Sequence, residues 1–257
     1  MGILNVTPDS FSDGMKDMNL QKLFNKAKLL VNSGADIIDI GGESTRPNAS
    51  EVSIKEELSR VIPILTKIRQ EMPDSSISID TRKTEVAEAA LELGVDYIND
   101  ISGLKKSPEI ARLISNYKSN LIIMHSRPHE ATQPYKNIIK DVYNFLEEQI
   151  NFACDSGVDK NNIIADVGIG FGKNYEDNMA LLKNLSYFES LGVPQLLGIS
   201  RKRVISDIYN ESIPEKRDDV TMFLHALLLS ISSIKIIRVH NVLLASKLKK
   251  TYEALYT

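Results

Sequence analysis

Polar and charged residues recur at one place in this sequence, directly after short runs of Ile, Val and Leu. In chain order they are Asn5 and Asp9; Asp39, Glu43, Thr45 and Arg46; Asp80, Thr81 and Arg82; Asn99 and Asp100; His125; Asp166; Ser200, Arg201 and Lys202; and Arg238, His240 and Asn241. Buried at the ends of apolar strands, such groups cost on the order of several kcal/mol each unless they find partners. Convergence on one polar ligand accounts for all eight sets together, although Asp39 and Asp100 taken singly read equally well as acceptors for backbone N–H groups. The residue types divide by chemistry. Arg46, Arg201, Lys202, Arg238 and His240 offer donors to an anion, while Asp80, Asn99 and Asp166 suit both edges of a flat heterocycle with amino and oxo groups. Arg238 and His240 stand two apart, so an extended backbone points them the same way. One pocket for a polar ring and a phosphate-like group is the expectation.

The elements that must position these residues alternate along the chain. Strand-like runs occupy 1–7, 35–42, 76–81, 97–103, 120–126, 163–170, 194–200 and 234–241. Between them apolar residues recur at helical spacing, as in Leu20, Leu23, Phe24, Ala27, Leu30 and Val31, or Leu58, Val61, Ile62, Leu65 and Ile68. Near-continuous apolar strands separated by helices imply a parallel sheet covered on both faces. Eight such units in 257 residues predict a single-domain α/β protein, a closed (β/α)8 TIM barrel, with an open doubly wound sheet as the alternative. In a barrel the loops beyond the C-terminal strand ends carry the site, which is where the polar residues fall. The repeated Gly34-Ala35-Asp36, Gly94-Val95-Asp96 and Gly157-Val158-Asp159 are read as helix C-caps followed by turns.

Composition narrows the function. With 31 basic and 34 acidic residues the net charge is −3, so no overall field draws the chain to nucleic acid or a membrane surface, and attraction for anions must be local. Cys154 is the single cysteine, which leaves no intramolecular disulfide or zinc cluster and fits a reducing cytoplasm. The apolar stretch 220–239 is broken by His225, Lys235 and Arg238 and reads as helix then strand rather than a membrane span. GIGFGK at 168–173 fails the Walker A pattern, because Val167 and Asn174 stand where Gly and Ser or Thr are needed. His125 and His129 are separated by Pro128, which breaks the helix that would align them as zinc ligands. Ser200 has no sequence-adjacent histidine and no nucleophile-elbow motif, which weighs against a serine hydrolase.

Several segments together carry a family resemblance: MGILNVTPDSFSDG (1–14), GADIIDIGGESTRP (34–47), SIDTRK (78–83), YINDISG (97–103), MHSRP (124–128), DVGIGFGK (166–173), GISRKR (198–203) and IIRVHN (236–241). The chain resembles the dihydropteroate synthases, folate-pathway transferases of the pterin-binding barrel superfamily, nearly end to end. The FSDG and STRP loops separate it from the pterin-binding methyltransferases on the same barrel. The resemblance implies transfer of a pterin methylene from 7,8-dihydropterin pyrophosphate to para-aminobenzoate, a magnesium ion, sensitivity to sulfonamides, a cytoplasmic location and a homodimer. By the same resemblance Asp80, Asn99, Asp166 and Lys202 hold the pterin, with Met124 and Phe171 packed nearby. Asn5, Arg238 and His240 hold the pyrophosphate, with magnesium near Asn5. Phe11, Thr45, Arg46, Pro47, Phe171, Lys202 and Ser200 form the para-aminobenzoate pocket. Lys202, Arg238, Asp80, Asp13 and Arg46 are the residues implied in catalysis.

Four departures stand out. Val167 replaces the usual Pro in D-P-G-I-G-F-G-K, Asn48 the Gly after S-T-R-P, and Asn241 the Asp after R-V-H; altered loop geometry or affinity is expected from them before loss of activity. Met1 falls inside the first strand, where the family has a short N-terminal extension. The expectation for residues 1–257 is therefore one synthase-like barrel, trimmed or cut from a longer chain such as a fusion with the preceding pathway kinase. A catalytically dead binding barrel is the other reading that these departures raise.

Overall fold

The structure, a computed structural model, describes residues 1–6, 16–44, 51–127 and 134–256. Eight parallel strands follow one another around a sheet in chain order: β1 (Gly2–Asn5), β2 (Ile37–Gly41), β3 (Ser76–Asp80), β4 (Tyr97–Asp100), β5 (Asn120–Met124), β6 (Ile163–Asp166), β7 (Gln195–Leu197) and β8 (Ile234–Ile237). The ends of the sheet meet. The Met1 ammonium donates to Ile237 O at 3.0 Å, Ile3 N to Val239 O at 3.1 Å and Val239 N to Met1 O at 3.0 Å. This seam closes the predicted barrel.

Helices α1 (Lys16–Asn32), α2 (Ile54–Glu71), α3 (Thr84–Glu92), α4 (Ile110–Tyr117), α5 (Ile138–Asp155) and α6 (Tyr175–Lys183) each follow one strand, and α9 (Val242–Tyr256) follows β8. The β7–β8 connection departs from the expected single helix. It holds α7 (Arg203–Tyr209) and α8 (Asp218–Leu228), because Asn210 turns left-handed at the end of α7 and Pro214 opens a short 3-10 turn before α8. Among the described residues no helix is long and apolar enough to cross a membrane.

Alternation along the strands assigns each residue its task. One face turns out toward the helices: Leu4, Ile38, Ile40, Ile77, Ile79, Ile98, Leu121, Ile123, Ile163, Ala165 and Leu197 join the main core with Leu23, Phe24 and Ala27 of α1 and Val61, Ile64, Leu65 and Ile68 of α2. The other face turns inward, where Met1, Ile37, Ile122, Ile164 and Leu196, with Tyr97 and Ile236, form a separate apolar layer across the barrel floor. Because the side-chain period is two, the next inward residue on these strands is Asp39, Asn99, Met124, Asp166, Gly198 or Arg238. The apolar floor thus gives way, one step toward the C-terminal strand ends, to a polar layer. The three Gly-X-Asp repeats lie at helix-to-strand turns with left-handed glycines, as expected of caps.

Candidate active site

The polar layer is built around Arg238. Its Nε donates to Asp39 Oδ2 at 2.6 Å and its Nη2 to Asp80 Oδ2 at 2.9 Å, while Asn99 Nδ2 reaches Asp39 Oδ2 at 3.4 Å. Asp39 is fully buried, and its Oδ1 has no hydrogen-bond partner among the described residues. Two carboxylates therefore share one guanidinium away from bulk water. Burial pushes the Asp80 carboxyl up to about 7; Arg238 opposes the shift, and the Asp39, Glu57 and Asp100 carboxylates add to it.

A stability prediction follows from the sign of that shift. A carboxyl raised from 3.8 to about 7 on folding binds its proton more tightly in the folded chain. Its contribution is complete below about pH 4 and is lost as pH rises through about 7. Wild-type stability is expected to fall between about pH 5 and pH 8, and Asp80→Asn to flatten that slope and gain about 1 kcal/mol or more at pH 8. Urea denaturation at the two pH values checks this, and equal slopes for both proteins would contradict it.

Across the mouth, Asp166 at the end of β6 accepts Gly168 N on Oδ1 at 2.7 Å. Burial raises its pKa, against the Lys202 charge and the Gly168 N–H. Lys202 donates to Ile169 O at 2.5 Å and holds its ammonium 4.5 Å from the centre of the Phe171 ring, a cation–π distance. Burial pulls the Lys202 ammonium down to about 8, partly offset by Asp166. Met124, 2% exposed, closes this side at the end of β5. Asp80, Asn99, Met124, Asp166, Lys202 and Phe171 thus stand at or just beyond the C-terminal ends of their strands.

The residues expected to hold an anion lie at the ends of β1 and β8. Asn5 is exposed at the C-terminal end of β1. His240 Nδ1 lies 3.0 Å from Ser200 Oγ, and that same oxygen accepts the His240 backbone N–H at 3.1 Å. The Ser200 hydroxyl thus contacts His240 through both ring and backbone, and the direction of the ring bond follows the imidazole tautomer. The sequence reading saw no histidine near Ser200. The partner stands 40 residues away, brought alongside because β7 and β8 are neighbours. Ser200 therefore orients His240 rather than standing alone in the para-aminobenzoate pocket.

Other strand-end residues do not converge on a ligand. Arg201 faces away and forms a bidentate pair with Asp218. Arg82 donates to Glu43 at 2.6 Å, and Lys83 bridges Glu43 and Glu57. Asp100 folds back on its own turn, accepting Ser102 N, Ser102 Oγ and Leu104 N, each at 2.7 Å. His125 packs edge-on to Phe145, and burial lowers its pKa to about 3, so it is neutral at pH 7. Arg201, Arg82, Lys83 and Asp100 find their partners in loops and helices that strand periodicity does not describe, whereas the buried Nδ1 of His125 has none among the described residues. Phe11, Asp13, Thr45, Arg46, Pro47 and Asn48 lie outside the described residues.

Two features escaped the sequence reading. Lys173, set aside there with its glycine-rich loop, donates to His125 O, Gly168 O and Phe171 O at 3.1, 2.8 and 3.2 Å. Three acceptors match the three N–H bonds of an ammonium; burial draws this lysine down to about 7, opposed by the Asp166 charge. Lys173 thereby fixes the turn that presents Asp166 and Phe171. Asn241, where the resembling family usually has Asp, donates from Nδ2 to Asp218 Oδ2 at 3.0 Å and accepts Leu244 N on Oδ1. An aspartate there would set a second carboxylate against Asp218. Val167 is buried in the helix-side core.

A barrel whose C-terminal mouth offers carboxylate and amide groups to a ring, with arginine, lysine and histidine beside them, is of the class matched by the family of pterin binding enzymes over residues 1–240. Among curated proteins the chain is 44% identical to the dihydropteroate synthase of Clostridium beijerinckii, covering 97% of this chain and 91% of that one, and 43% identical to the Bacillus subtilis dihydropteroate synthase over 99% and 87%. Among solved structures, the Clostridium difficile dihydropteroate synthase in the presence of pteroic acid superposes with a TM-score of 0.93 at 44% identity, covering 100% of this chain and 95% of that one. The Yersinia pestis dihydropteroate synthase with a sulfonamide drug complex gives 0.90 at 35% identity over 99% and 93%. The chain belongs to the dihydropteroate synthase family.

Proposed function

We propose that the chain joins 6-hydroxymethyl-7,8-dihydropterin pyrophosphate to para-aminobenzoate, giving 7,8-dihydropteroate and pyrophosphate. The observation that carries this reading is the gathering of Asp80, Asn99, Asp166 and Lys202 in one largely buried layer above an apolar floor, within reach of Arg238. Carboxylates and an amide meet the amino and ring N–H groups of a pterin; Lys202 meets an oxo or ring-nitrogen acceptor; Met124 and Phe171 supply apolar surface for the flat ring. Asn5, Arg238 and His240 hold the pyrophosphate. Phe11, Thr45, Arg46 and Pro47, with Phe171, Lys202 and the Ser200 turn, hold para-aminobenzoate, and Asp13 and Arg46 take part in the catalytic step.

The chemistry needs no strong nucleophile from the protein. The methylene C–O bond breaks in an SN1-like step, the electron-rich dihydropterin shares the positive charge on carbon, and the pyrophosphate leaves with the bonding pair. The arylamine nitrogen, neutral near pH 7, then forms the new C–N bond and releases a proton. Arg238 and His240 stabilise charge developing on the leaving oxygens. Asn5, exposed at the end of β1, carries an amide oxygen, a hard neutral donor of the type Mg2+ accepts beside phosphate oxygens. An ion held there would supply positive charge to offset the negative charge developing on the leaving group.

Incubation with both substrates and magnesium is expected to yield dihydropteroate and pyrophosphate in equal amounts, with sulfonamides competing against para-aminobenzoate. Pterin binding without product would favour the binding-only barrel. Asp166→Asn removes a charge-assisted acceptor worth about 1.5–3 kcal/mol and is expected to weaken pterin affinity roughly tenfold or more. Unchanged affinity by calorimetry would remove Asp166 from the ring pocket.

We also propose a cytoplasmic homodimer. Exposed Tyr209 on α7, Phe223 and Leu227 on α8, and Leu243, Leu255 and Tyr256 on α9 supply apolar surface that a second copy would cover, and sedimentation measures the assembly.

A further inference from the structure

We propose that Asp218 is a positioning residue for this reaction: its carboxylate straps the turn after β7 to the turn after β8 and so sets Lys202 and His240 relative to each other. The inference rests on the proposed function for what those two residues do, and on geometry for the strap itself. Asp218 opens α8, where an anionic side chain is favoured by the helix dipole. From the β7 side, Arg201 donates Nε to Oδ1 at 2.6 Å and Nη2 to Oδ2 at 2.8 Å, a bidentate pair. From the β8 side, Asn241 Nδ2 donates to the same Oδ2 at 3.0 Å. The residue before Arg201 is Ser200, which fixes the His240 ring, and the residue after it is Lys202. The strap and the Ser200–His240 contact are thus two cross-links between the same pair of turns.

The β7 turn needs such a hold. Arg201 has φ +60°, a left-handed conformation that a side-chain-bearing residue adopts at a cost. Arg217 grips the turn from the other side, donating Nη1 to Arg201 O at 2.9 Å and to Lys202 O at 3.4 Å. Burial works against ionisation of Asp218, but the Arg201 and Asn241 hydrogen bonds outweigh it and hold the pKa below its ordinary value, so the strap is charged at neutral pH. Two donors from different turns meet one carboxylate oxygen. A carboxylate at 241 and an amide at 218 would reverse the hydrogen bond between the two turns while Arg201 keeps one bond to the amide oxygen, because an amide nitrogen cannot accept the second.

That exchange is the test. Amide hydrogen exchange and steady-state kinetics are measured on wild type, Asp218→Asn, and the double variant Asp218→Asn/Asn241→Asp, each checked for folding by thermal denaturation. In Asp218→Asn the amides of Lys202 and His240, which donate to Ile199 O and Ser200 Oγ, are expected to exchange faster together. The kcat/KM for the pterin pyrophosphate is expected to fall about tenfold, chiefly through KM. The double variant is expected to show slower exchange at both turns than Asp218→Asn and to regain about threefold of the lost kcat/KM, the remainder staying lost with the second Arg201 bond. Unchanged exchange at either turn in Asp218→Asn, or a double variant that regains thermal stability without regaining rate, would overturn the strap. Slower exchange in the double variant than in Asp218→Asn supports the strap even if wild type forms no dihydropteroate, an outcome that would instead overturn the reaction.

Discussion

Replacing Arg238 with methionine is expected to destabilise the chain by about 3–5 kcal/mol at pH 8, the cost of stranding a buried charge without its partner. Asp39 is 0% and Asp80 9% exposed, and the guanidinium is an ion-pair partner of both. Methionine preserves much of the volume, so the loss reports charge rather than a cavity. Without the cation, Asp80 is drawn further above its folded value of about 7, so acid relieves the defect. Urea denaturation at about pH 5 should therefore show a smaller difference from wild type than at pH 8. Pyrophosphate affinity should fall with stability, and so should affinity for the pterin ring, since Arg238 also orients Asp80. A loss independent of pH would contradict the reading that Arg238 offsets the buried charge of Asp39 and Asp80.

Gly168→Ala is expected to have an effect of similar size from a single methyl group. A Cβ at this position would stand 1.9 Å from His125 O and 3.0 Å from its carbonyl carbon, both backbone atoms, and φ is +67°. His125 N donates to Asp166 O, so the segment that must give way is tied to β6. The Gly168 N–H bond to Asp166 and the Lys173 bond to Gly168 O would move with it. A loss above about 3 kcal/mol is expected, together with weaker pterin binding. Gly94→Ala supplies the control: φ is +75° there, but the added Cβ meets nothing within 4 Å, so only the backbone strain of about 1 kcal/mol remains. Equal denaturation midpoints for the two variants would show that the close approach to His125 does not matter.

The barrel was legible because its two determinants are local: period-two alternation in the strands and helical spacing between them. Strand ends were less so. The runs 163–170 and 194–200 read as continuous strand, yet β6 stops at Asp166 and β7 at Leu197. Val167, Ile169 and Ile199 lie beyond those ends and are buried as fully as strand residues, because the turns fold back onto the core. Apolar character there marks burial and not extension. The inward placing of Asp39, Asn99, Asp166 and Arg238 was legible for a related reason: each stands two positions after an apolar residue of the barrel floor or its edge. What periodicity does not encode is the choice of partner. Arg238 and Asp39 are 199 residues apart and Ser200 and His240 are 40 apart; the first pair requires the closed sheet before it meets, and the second requires the β7–β8 pairing. Arg201 was expected to offer its charge to an anion, and nothing in the β7 strand shows that α8 begins with the carboxylate that takes it.

The central claim is that this mouth breaks the methylene C–O bond of a pterin pyrophosphate and delivers the carbon to an arylamine. Substrate carrying heavy oxygen at the bridge between methylene and phosphorus, incubated with the chain, para-aminobenzoate and magnesium, tests it in one mass measurement. The account predicts dihydropteroate free of the label and all of the heavy oxygen in the released pyrophosphate. Heavy oxygen retained in hydroxymethyldihydropterin, with no dihydropteroate formed, would mean attack at phosphorus and would contradict it.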